Sequence, residues 1–296
     1  MEQRRNILGG LAGGAALLAM PRPVLAQAGF VSRRISVEAR GRGPDLILLP
    51  GLASTAEVWS GLVPRLEGRR RLHLVSVRGF GDLPAESNAA GAVMGSVAAE
   101  VRRYIAEQRL TRPAIVGHSM GGQIALRVAA DAPGSVDRVM TVDASPFFPA
   151  LIRPGAAVGD VEPIAQVAYQ AVQFLGDDVL RDRGRGLGLD LGGVADALFG
   201  TMGWQGGDRR VLAQALYEVM TVDLRSRLPD ITAPLTVVYG WTADEASPRS
   251  RADGLFRGAY ASLRVPARFE RIEGAEHMVM IDQPGRFLAA VERFLA

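Results

Sequence analysis

The sequence predicts an α/β fold, in which helices cover a mostly parallel sheet, and three observations support this prediction. Apolar runs alternate with helical patterns along most of the chain. Short runs such as Ile47-Leu48-Leu49 and Thr236-Val237-Val238 are almost wholly apolar, as expected of strands buried on both faces. In addition, Gly117-His118-Ser119-Met120-Gly121 connects an apolar run to a helical pattern. The 296 residues, 48% of them hydrophobic, suffice for one large α/β domain or two small ones.

Seven apolar runs are predicted to form the strands of the sheet. They are Ser32–Glu38, Asp45–Leu49, Leu72–Val77, Ala114–Gly117, Arg138–Val142, Leu235–Tyr239 and Arg268–Ile272. Apolar residues at helical spacing predict the helices of the core. These helices are Ala56–Leu66, Ala92–Gln108, Met120–Ala130 and Pro284–Leu295.

The alternation of strands and helices stops between residues 146 and 230. This segment contains helical patterns at Glu162–Leu175 and Asp208–Met220, with no strand pattern between them. Because it lies between two predicted strands of one sheet, we interpret it as a helical cap inserted into the domain. The core is then formed by residues 29–145 together with residues 231–296.

The first 28 residues are predicted to form a separate unit, a secretory signal peptide. A charged start precedes the small-apolar stretch of residues 9–20, and Ala26-Gln27-Ala28 supplies small residues at the expected cleavage site. The adjacent Arg4 and Arg5 resemble a twin-arginine export signal. We therefore expect a periplasmic or secreted protein. No stable membrane span is expected after cleavage, because the apolar stretch is short and rich in glycine; a retained membrane tether is the alternative.

The composition excludes several kinds of site. The chain has no cysteine and no lysine, which excludes disulfides, thiolate nucleophiles and lysine Schiff bases. Its three histidines, His73, His118 and His277, are too few for a histidine-based metal cluster. Carboxylate metal sites stay possible, but no metal or other cofactor is expected. The net charge of +3 comes without a concentrated basic patch, so nucleic acid is not an expected partner.

The turn at residues 117–121 is the most informative motif of the chain. A Gly-x-Ser-x-Gly sequence between a strand and a helix is a nucleophile elbow, whose small neighbours permit a strained backbone that exposes the serine hydroxyl. The helix that follows directs its positive end and its free N–H groups at the same place. Ser119 is therefore predicted to be a catalytic nucleophile.

Five segments in this order resemble the α/β-hydrolase family, and the resemblance covers nearly all of the chain after the signal peptide. They are Leu49–Ser54, Arg78–Asp82, Gly117–Gly121, Tyr239–Asp244 and Gly274–Met278. The resemblance implies a mainly parallel sheet with an inserted helical cap, the place where residues 146–230 fall. It also implies a serine hydrolase whose catalytic triad follows the chain order Ser, Asp, His.

A serine hydroxyl needs a base within hydrogen-bond reach, and the chain offers three histidines. His118 is adjacent to Ser119, but its side chain is expected to point away at the strained turn. His73 lies inside a predicted strand. His277 lies in a loop after the last strand, at the end of the sheet where Ser119 emerges. His277 is therefore predicted to be the base, by elimination and by its position in the family pattern.

An acid must hold the base in the correct tautomer and stabilise its cation. The family pattern implies Asp244, which lies just beyond the sixth predicted strand, and the adjacent Glu245 can substitute for it. Asp143, at the end of the fifth predicted strand, is the other serious candidate, because some relatives carry their acid there. The sequence leaves this choice open, with Asp244 preferred.

The resemblance also implies two backbone N–H donors for the oxyanion of the transition state. They are Met120, directly after the nucleophile, and Leu52, in the loop after an early strand. The chain has Leu49-Pro50-Gly51 where many relatives carry His-Gly, so the position of Leu52 departs from the common pattern.

Phe148 and Trp241 follow strand ends that face the elbow, and both are predicted to line the substrate pocket. An apolar lining favours a hydrophobic acyl or alcohol group. The predicted reaction is therefore hydrolysis of a small to medium carboxylic ester through an acyl-enzyme. Lactone hydrolysis, C–C bond hydrolysis and perhydrolysis use the same triad and stay open, as does a ligand-binding protein of this fold without turnover.

Overall fold

The computed structural model describes residues 29–181, 205–243 and 248–296. Its centre is a seven-stranded sheet with the strand order β1-β3-β2-β4-β5-β6-β7. The strands are β1 (Ile35–Gly41), β2 (Asp45–Leu49), β3 (Arg71–Val77), β4 (Ala114–His118), β5 (Val139–Val142), β6 (Leu235–Trp241) and β7 (Ala267–Glu273). The first strand pairs antiparallel with β3, whereas the other neighbouring strands run parallel. The predicted mostly parallel sheet is thus confirmed.

Helices flank this sheet throughout the described ranges. They are α1 (Val63–Leu66), α2 (Met94–Glu107), α3 (Met120–Asp131), α4 (Pro149–Ile152), α5 (Val158–Arg181), α6 (Arg209–Thr221), α7 (Arg249–Ala259), α8 (Val279–Asp282) and α9 (Pro284–Leu295). Short 3-10 turns lie at Ala56–Trp59, Glu86–Ala89 and Arg225–Asp230. Of the helices in these ranges, none has both the length and the apolar character to cross a membrane.

Apolar side chains cover the sheet on both faces. On one face, Ile47 belongs to the cluster that contains Ile124 of α3. On the other face, the neighbouring Leu48 belongs to a cluster with Trp59 and Phe287, whose rings stack with centroids 6.1 Å apart. Successive residues of a strand point to opposite faces, so β2 has to be apolar at both kinds of position. This double burial accounts for the apolar run seen in the sequence.

The helices α4, α5 and α6 are inserted between β5 and β6, as the cap prediction requires. A buried carboxylate on α6, that of Glu218, joins the insertion to the core. It accepts hydrogen bonds from the amides of Val93 and Met94 at the start of α2, both at 2.8 Å. The unpaired N–H groups and the positive end of α2 stabilise a negative charge at this position. The cap boundaries at residues 146 and 230 stay a prediction.

Several helices differ from the sequence prediction: the short α4 and α8 were not predicted, and two further differences have a physical reason. The predicted helix Ala56–Leu66 is a 3-10 turn followed by the separate helix α1. Pro64 lies in the first turn of α1, where its missing N–H has no cost, whereas inside a continuous helix it would break the hydrogen-bond pattern. Helix α7 was not predicted, since its buried residues are only one phenylalanine and two alanines, which give a weak periodic signal.

Candidate active site

The register of the parallel strands brings the candidate residues to one edge of the sheet. His118 at the end of β4 is paired with Val142 at the end of β5, which is paired in turn with Val238 of β6. The residues directly after β4 and β5 are Ser119 and Asp143. Ligand sites of parallel α/β sheets lie outside the carboxyl ends of the strands, and these two residues stand there.

The backbone of Ser119 has the strained conformation that a nucleophile elbow requires. Its φ is +51° and its ψ is −121°, an unusual combination for a residue with a side chain. A Cβ atom on Gly117 would lie 2.2 Å from the carbonyl oxygen of Gly121. A Cβ on Gly121 would lie 2.4 Å from the carbonyl oxygen of Leu49. Both glycines are therefore needed for the chain to turn this tightly between β4 and α3.

His277 is held by a carboxylate that follows β5. Its Nδ1 lies 2.6 Å from Oδ2 of Asp143, and Oδ1 of the same carboxylate accepts the amide of Gly240 at 3.2 Å. A carboxylate only accepts hydrogen bonds, so Nδ1 of His277 carries the hydrogen. In the neutral ring Nε2 then carries the lone pair. This Nε2 is buried and has no hydrogen-bond partner among the described residues, so it is the basic end of the ring.

The carboxylate beside His277 is thus the alternative candidate of the sequence analysis. The preferred candidate, Asp244, and its neighbour Glu245 lie outside the described residues. A signal for Asp143 was present in the sequence, because it directly follows a buried strand adjacent to β4. That signal alone does not distinguish it from an acid that follows β6.

Hydrogen bonds on both sides of Asp143 position its carboxylate. Its own amide donates to the carbonyl of Val238 at 2.8 Å, and its φ of +44° turns the chain sharply at this point. The hydroxyl of the buried Tyr260 donates to the carbonyl of Ala144 at 2.8 Å and lies 3.0 Å from Oγ1 of Thr141. Burial raises the pKa of Tyr260, so the hydroxyl stays protonated and remains a donor.

The amides of Leu52 and Met120 meet a first condition for oxyanion donors. Both residues are buried, and none of the hydrogen bonds among the described residues uses either amide. Met120 is the first residue of α3, where an N–H group has no partner inside the helix. The assignment of the two donors remains a prediction.

Gln205 of the cap segment contacts the loop that contains Leu52. Its amide donates to the carbonyl of Ala53 at 2.8 Å, and its side-chain Oε1 accepts the amide of Thr55 at 2.8 Å. Ala53 has a φ of +53°, so the loop is held in a conformation that is uncommon for alanine. The cap segment is therefore fastened directly to this loop, which the sequence did not indicate.

The other two histidines occupy very different places. The ring of His118 lies against that of His277, with centroids 4.6 Å apart. His73 lies inside β3, nearer the amino end of that strand, where its Nδ1 is 2.6 Å from the hydroxyl of Tyr104 and its Nε2 is 2.9 Å from Asp45. Since both nitrogens of His73 are engaged far from the elbow, the elimination in favour of His277 agrees with the geometry.

The predicted pocket residues are half-buried and lie in different surroundings. Phe148 packs against the hydrophobic cluster of the α2 and α3 face. The ring of Trp241 contacts two guanidinium groups, those of Arg249 and Arg271, whose Cζ atoms lie 4.8 Å and 5.8 Å from its centroid. Their contact with substrate stays a prediction. Within the described ranges, no group of three or more His, Asp or Glu side chains is placed to hold a metal ion.

Comparison with known sequences places this geometry in a family. A model of the alpha/beta hydrolase family matches residues 46–291. The pimeloyl-[acyl-carrier protein] methyl ester esterase of Aeromonas hydrophila is 31% identical over 276 residues, covering 88% of this chain and 99% of that protein. The esterase of the same description from Edwardsiella ictaluri is 31% identical over 258 residues, with coverages of 84% and 92%.

Solved structures share the fold at lower identity. An esterase from Exiguobacterium antarcticum has a TM-score of 0.66 and 21% identity, covering 88% of this chain and 95% of that chain. An enol-lactonase from Burkholderia xenovorans has a TM-score of 0.60 and 20% identity, with coverages of 88% and 96%. The match over most of the sequence and the shared fold lead to one conclusion: this chain belongs to the alpha/beta hydrolase family and is a hydrolase of the carboxylic ester type.

Proposed function

We propose that the protein hydrolyses a small to medium carboxylic ester through an acyl-enzyme formed on Ser119. The observation that carries this proposal is that one ring nitrogen of His277 is bound by a carboxylate and the other has no partner among the described residues. Its Nδ1 lies 2.6 Å from Asp143, its Nε2 is buried without a partner among the described residues, and its ring contacts that of His118, the residue directly before Ser119. A lone pair directed away from the orienting carboxylate is what a general base for a serine needs.

In the first half-reaction Oγ of Ser119 attacks the ester carbonyl while Nε2 of His277 takes its proton. The new C–O bond places negative charge on the carbonyl oxygen, and the amides of Leu52 and Met120 stabilise it. The tetrahedral intermediate then expels the alcohol, which receives the proton from His277. Asp143 stabilises the imidazolium that exists between these two transfers.

In the second half-reaction water attacks the acyl-enzyme while the same Nε2 accepts its proton. Collapse of the second tetrahedral intermediate returns the proton to Oγ of Ser119 and releases the carboxylic acid. Each proton that His277 accepts is thus given back within its half-reaction, and no external acid or base is consumed.

The proposal is tested with purified protein and a fluorophosphonate probe, together with a panel of p-nitrophenyl and methyl esters of graded chain length. We expect the wild type to be labelled and to hydrolyse esters, and the Ser119→Ala variant to do neither. A wild type that is not labelled would contradict the proposal and favour the ligand-binding alternative. Lactones, C–C bond substrates and peracid formation belong in the same panel, because they require the same triad.

A second candidate substrate comes from the curated relatives, whose description names a methyl ester of pimeloyl-[acyl-carrier protein]. A chain that is 31% identical over 88% of its length warrants a direct test of that substrate. Rates for the free pimeloyl methyl ester and for the carrier-linked ester should be compared. A preference for the carrier-linked ester would replace the small free ester as the proposed substrate.

We further propose that the protein is exported, with residues 1–28 removed. The support is the sequence alone, namely the adjacent Arg4 and Arg5, the short apolar stretch and the small residues of Ala26-Gln27-Ala28. The intact mass of protein recovered from the periplasm or medium should correspond to a start near Gln27 or Gly29. Recovery of the full-length mass in the membrane fraction would support the tethered alternative.

A further inference from the structure

His118 stands at the junction of three segments of the active site. It is the last residue of β4, immediately before the elbow serine, and it is fully buried. Its ring contacts the ring of His277 from the loop after β7, with a centroid distance of 4.6 Å. On another side it faces Gly51, in the loop that contains the candidate oxyanion donor Leu52.

The hydrogen bond made by His118 reaches the main chain of the candidate base. Its Nε2 lies 2.9 Å from the carbonyl oxygen of His277. A carbonyl oxygen only accepts, so Nε2 of His118 is the donor and carries the hydrogen. The residue His277 is therefore held twice: its side chain by Asp143 after β5, and its main chain by His118 at the end of β4.

His118 makes this contact as a neutral ring. Burial, and in second place the neighbouring His277, hold the pKa of His118 well below its usual value. With the hydrogen on Nε2, its Nδ1 carries the lone pair, and this atom has no partner in the described part of the chain. A neutral neighbour does not repel the imidazolium that His277 must become during the reaction, whereas a second cation at this distance would.

The ring of His118 is also closely packed where it faces Gly51. A Cβ atom on Gly51 would lie 2.8 Å from Nδ1 and 3.2 Å from Cε1 of His118, and 3.2 Å from Cβ of Ser119. Glycine at position 51 lets the oxyanion loop approach both side chains. The ring of His118 thus lies against both the loop that contains Gly51 and Leu52 and the loop that contains His277.

We propose that His118 is a positioning residue of the catalytic site, which sets the place of the His277 main chain through the Nε2–H to carbonyl hydrogen bond. This inference rests on the proposed serine hydrolase function. A shift of the base relative to the elbow by about 1 Å can reduce the rate about 100-fold. Loss of the hydrogen bond should therefore lower kcat about 10- to 100-fold, while KM changes little.

Two variants separate the hydrogen bond from the packing of the ring. In His118→Gln the side-chain amide nitrogen can reach the position of Nε2 and still donate, although the ring is lost. In His118→Phe the ring is kept and the donor is lost. We expect His118→Gln to retain most of the wild-type kcat and His118→Phe to lose it. The reverse order, or equal kcat in both variants, would overturn the proposal.

The control is His73→Gln, which alters the other buried histidine, remote from the elbow. All rates are normalised to the number of sites titrated by fluorophosphonate, so a partly unfolded preparation does not imitate a catalytic defect. An unlabelled wild type would refute the proposed function itself. A labelled wild type with normal kcat in His118→Phe would refute only the role of His118.

A measurement on the wild type keeps the inference testable if both variants fail to fold. The ¹⁵N chemical shifts of the three histidines are assigned with His73→Gln and His277→Gln as reference variants, since each removes the signals of one ring. We expect His118 to be neutral and protonated at Nε2 across the pH range of activity, with His277 protonated at Nδ1 when neutral. A neutral His118 ring with its hydrogen on Nδ1 in that range would contradict the hydrogen bond, because Nε2 would then have nothing to donate.

Discussion

Two pairs of aspartate and histidine, both partly buried, lie in the described part of the chain, and they differ in what the second ring nitrogen does. At the amino end of the sheet, Asp45 accepts from Nε2 of His73, and the hydroxyl of Tyr104 donates to Nδ1. At the carboxyl end, Asp143 accepts from Nδ1 of His277, and Nε2 has no partner among the described residues. The first pair is saturated, whereas the second keeps a basic nitrogen available.

The backbone around the two pairs differs as well: it is regular near His73 and strained near His277. His73 lies within a regular strand, and Asp45 also binds Arg71 at 2.6 Å. Near His277, in contrast, both Asp143 and Ser119 have positive φ values. Backbone strain and an unsatisfied buried nitrogen both cost stability, and both coincide only at the second pair. Of the two pairs, therefore, it is the second that fits the proposed catalysis, because its remaining nitrogen has no partner among the described residues.

Replacing each of the two histidines by glutamine tests the difference between the pairs with the largest expected effect. His277→Gln should reduce kcat about 10⁶-fold, because the nucleophile loses its base. His73→Gln should leave kcat within a few-fold of wild type, although its melting temperature should fall. Ester hydrolysis and thermal unfolding of both variants provide the measurement. Comparable losses of activity in the two variants would remove the distinction.

The two aspartates give the next largest effect. Asp143→Asn should reduce kcat about 10⁴-fold, because the amide no longer enforces the tautomer with the hydrogen on Nδ1. Asp45→Asn should affect stability and leave kcat nearly unchanged. Asp244→Asn is the matched control for the choice of acid. If Asp244→Asn shows the large loss and Asp143→Asn does not, the acid is Asp244 and our assignment is wrong.

The structural role of the pair formed by Asp45 and His73 is tested by removing the hydroxyl of Tyr104, which donates to the second nitrogen of that histidine. Burial raises the pKa of Tyr104 to about 12, so this hydroxyl remains a donor to Nδ1 of His73. Tyr104→Phe leaves that buried nitrogen unpaired, which should cost about 1–3 kcal/mol of unfolding free energy with no change in kcat. Tyr217→Phe, which removes an exposed hydrogen bond to Glu162, should cost much less in the same denaturant titration.

The smallest effect concerns the pH dependence of stability. Burial is the largest cause of the lowered pKa of His73, and it outweighs the hydrogen bond that His73 donates to Asp45, which by itself would raise this pKa. As the pH falls below about 6.5, the unfolded chain binds a proton that His73 in the folded protein does not bind, so the unfolding free energy decreases. Each unit of difference between the two pKa values corresponds to about 1.4 kcal/mol.

His73→Gln should flatten this decrease between pH 7 and pH 5, and His118→Gln should do so as well, since the pKa of His118 is also lowered. Unfolding free energies of the three proteins at several pH values provide the measurement. A decrease of equal steepness in wild type and His73→Gln would show that His73 does not resist protonation in the folded state.

Local patterns were sufficient for most of the fold. Each of the seven predicted strands overlaps an observed one, and the helix Pro284–Leu295 was predicted with its observed bounds. A strand buried on both faces and a helix with one apolar face leave periodic traces in the sequence itself. The prediction missed α7, whose periodic pattern is weak, and it wrongly predicted one continuous helix where Pro64 begins a separate one.

The sequence by itself was sufficient to propose Ser119 and His277 as two residues of the candidate site. Glycines that leave no room for a Cβ mark the elbow, and a chain with three histidines offers few bases. Contacts across the sheet decided the rest, since Asp143 meets His277 only because β5 lies between β4 and β6 and turns sharply at its end. The contacts of His118 with His277 and of Gln205 with the oxyanion loop join residues more than 140 positions apart. The direction in which a side chain points depends on such neighbours in space, and it cannot be read from the spacing of residues along the chain.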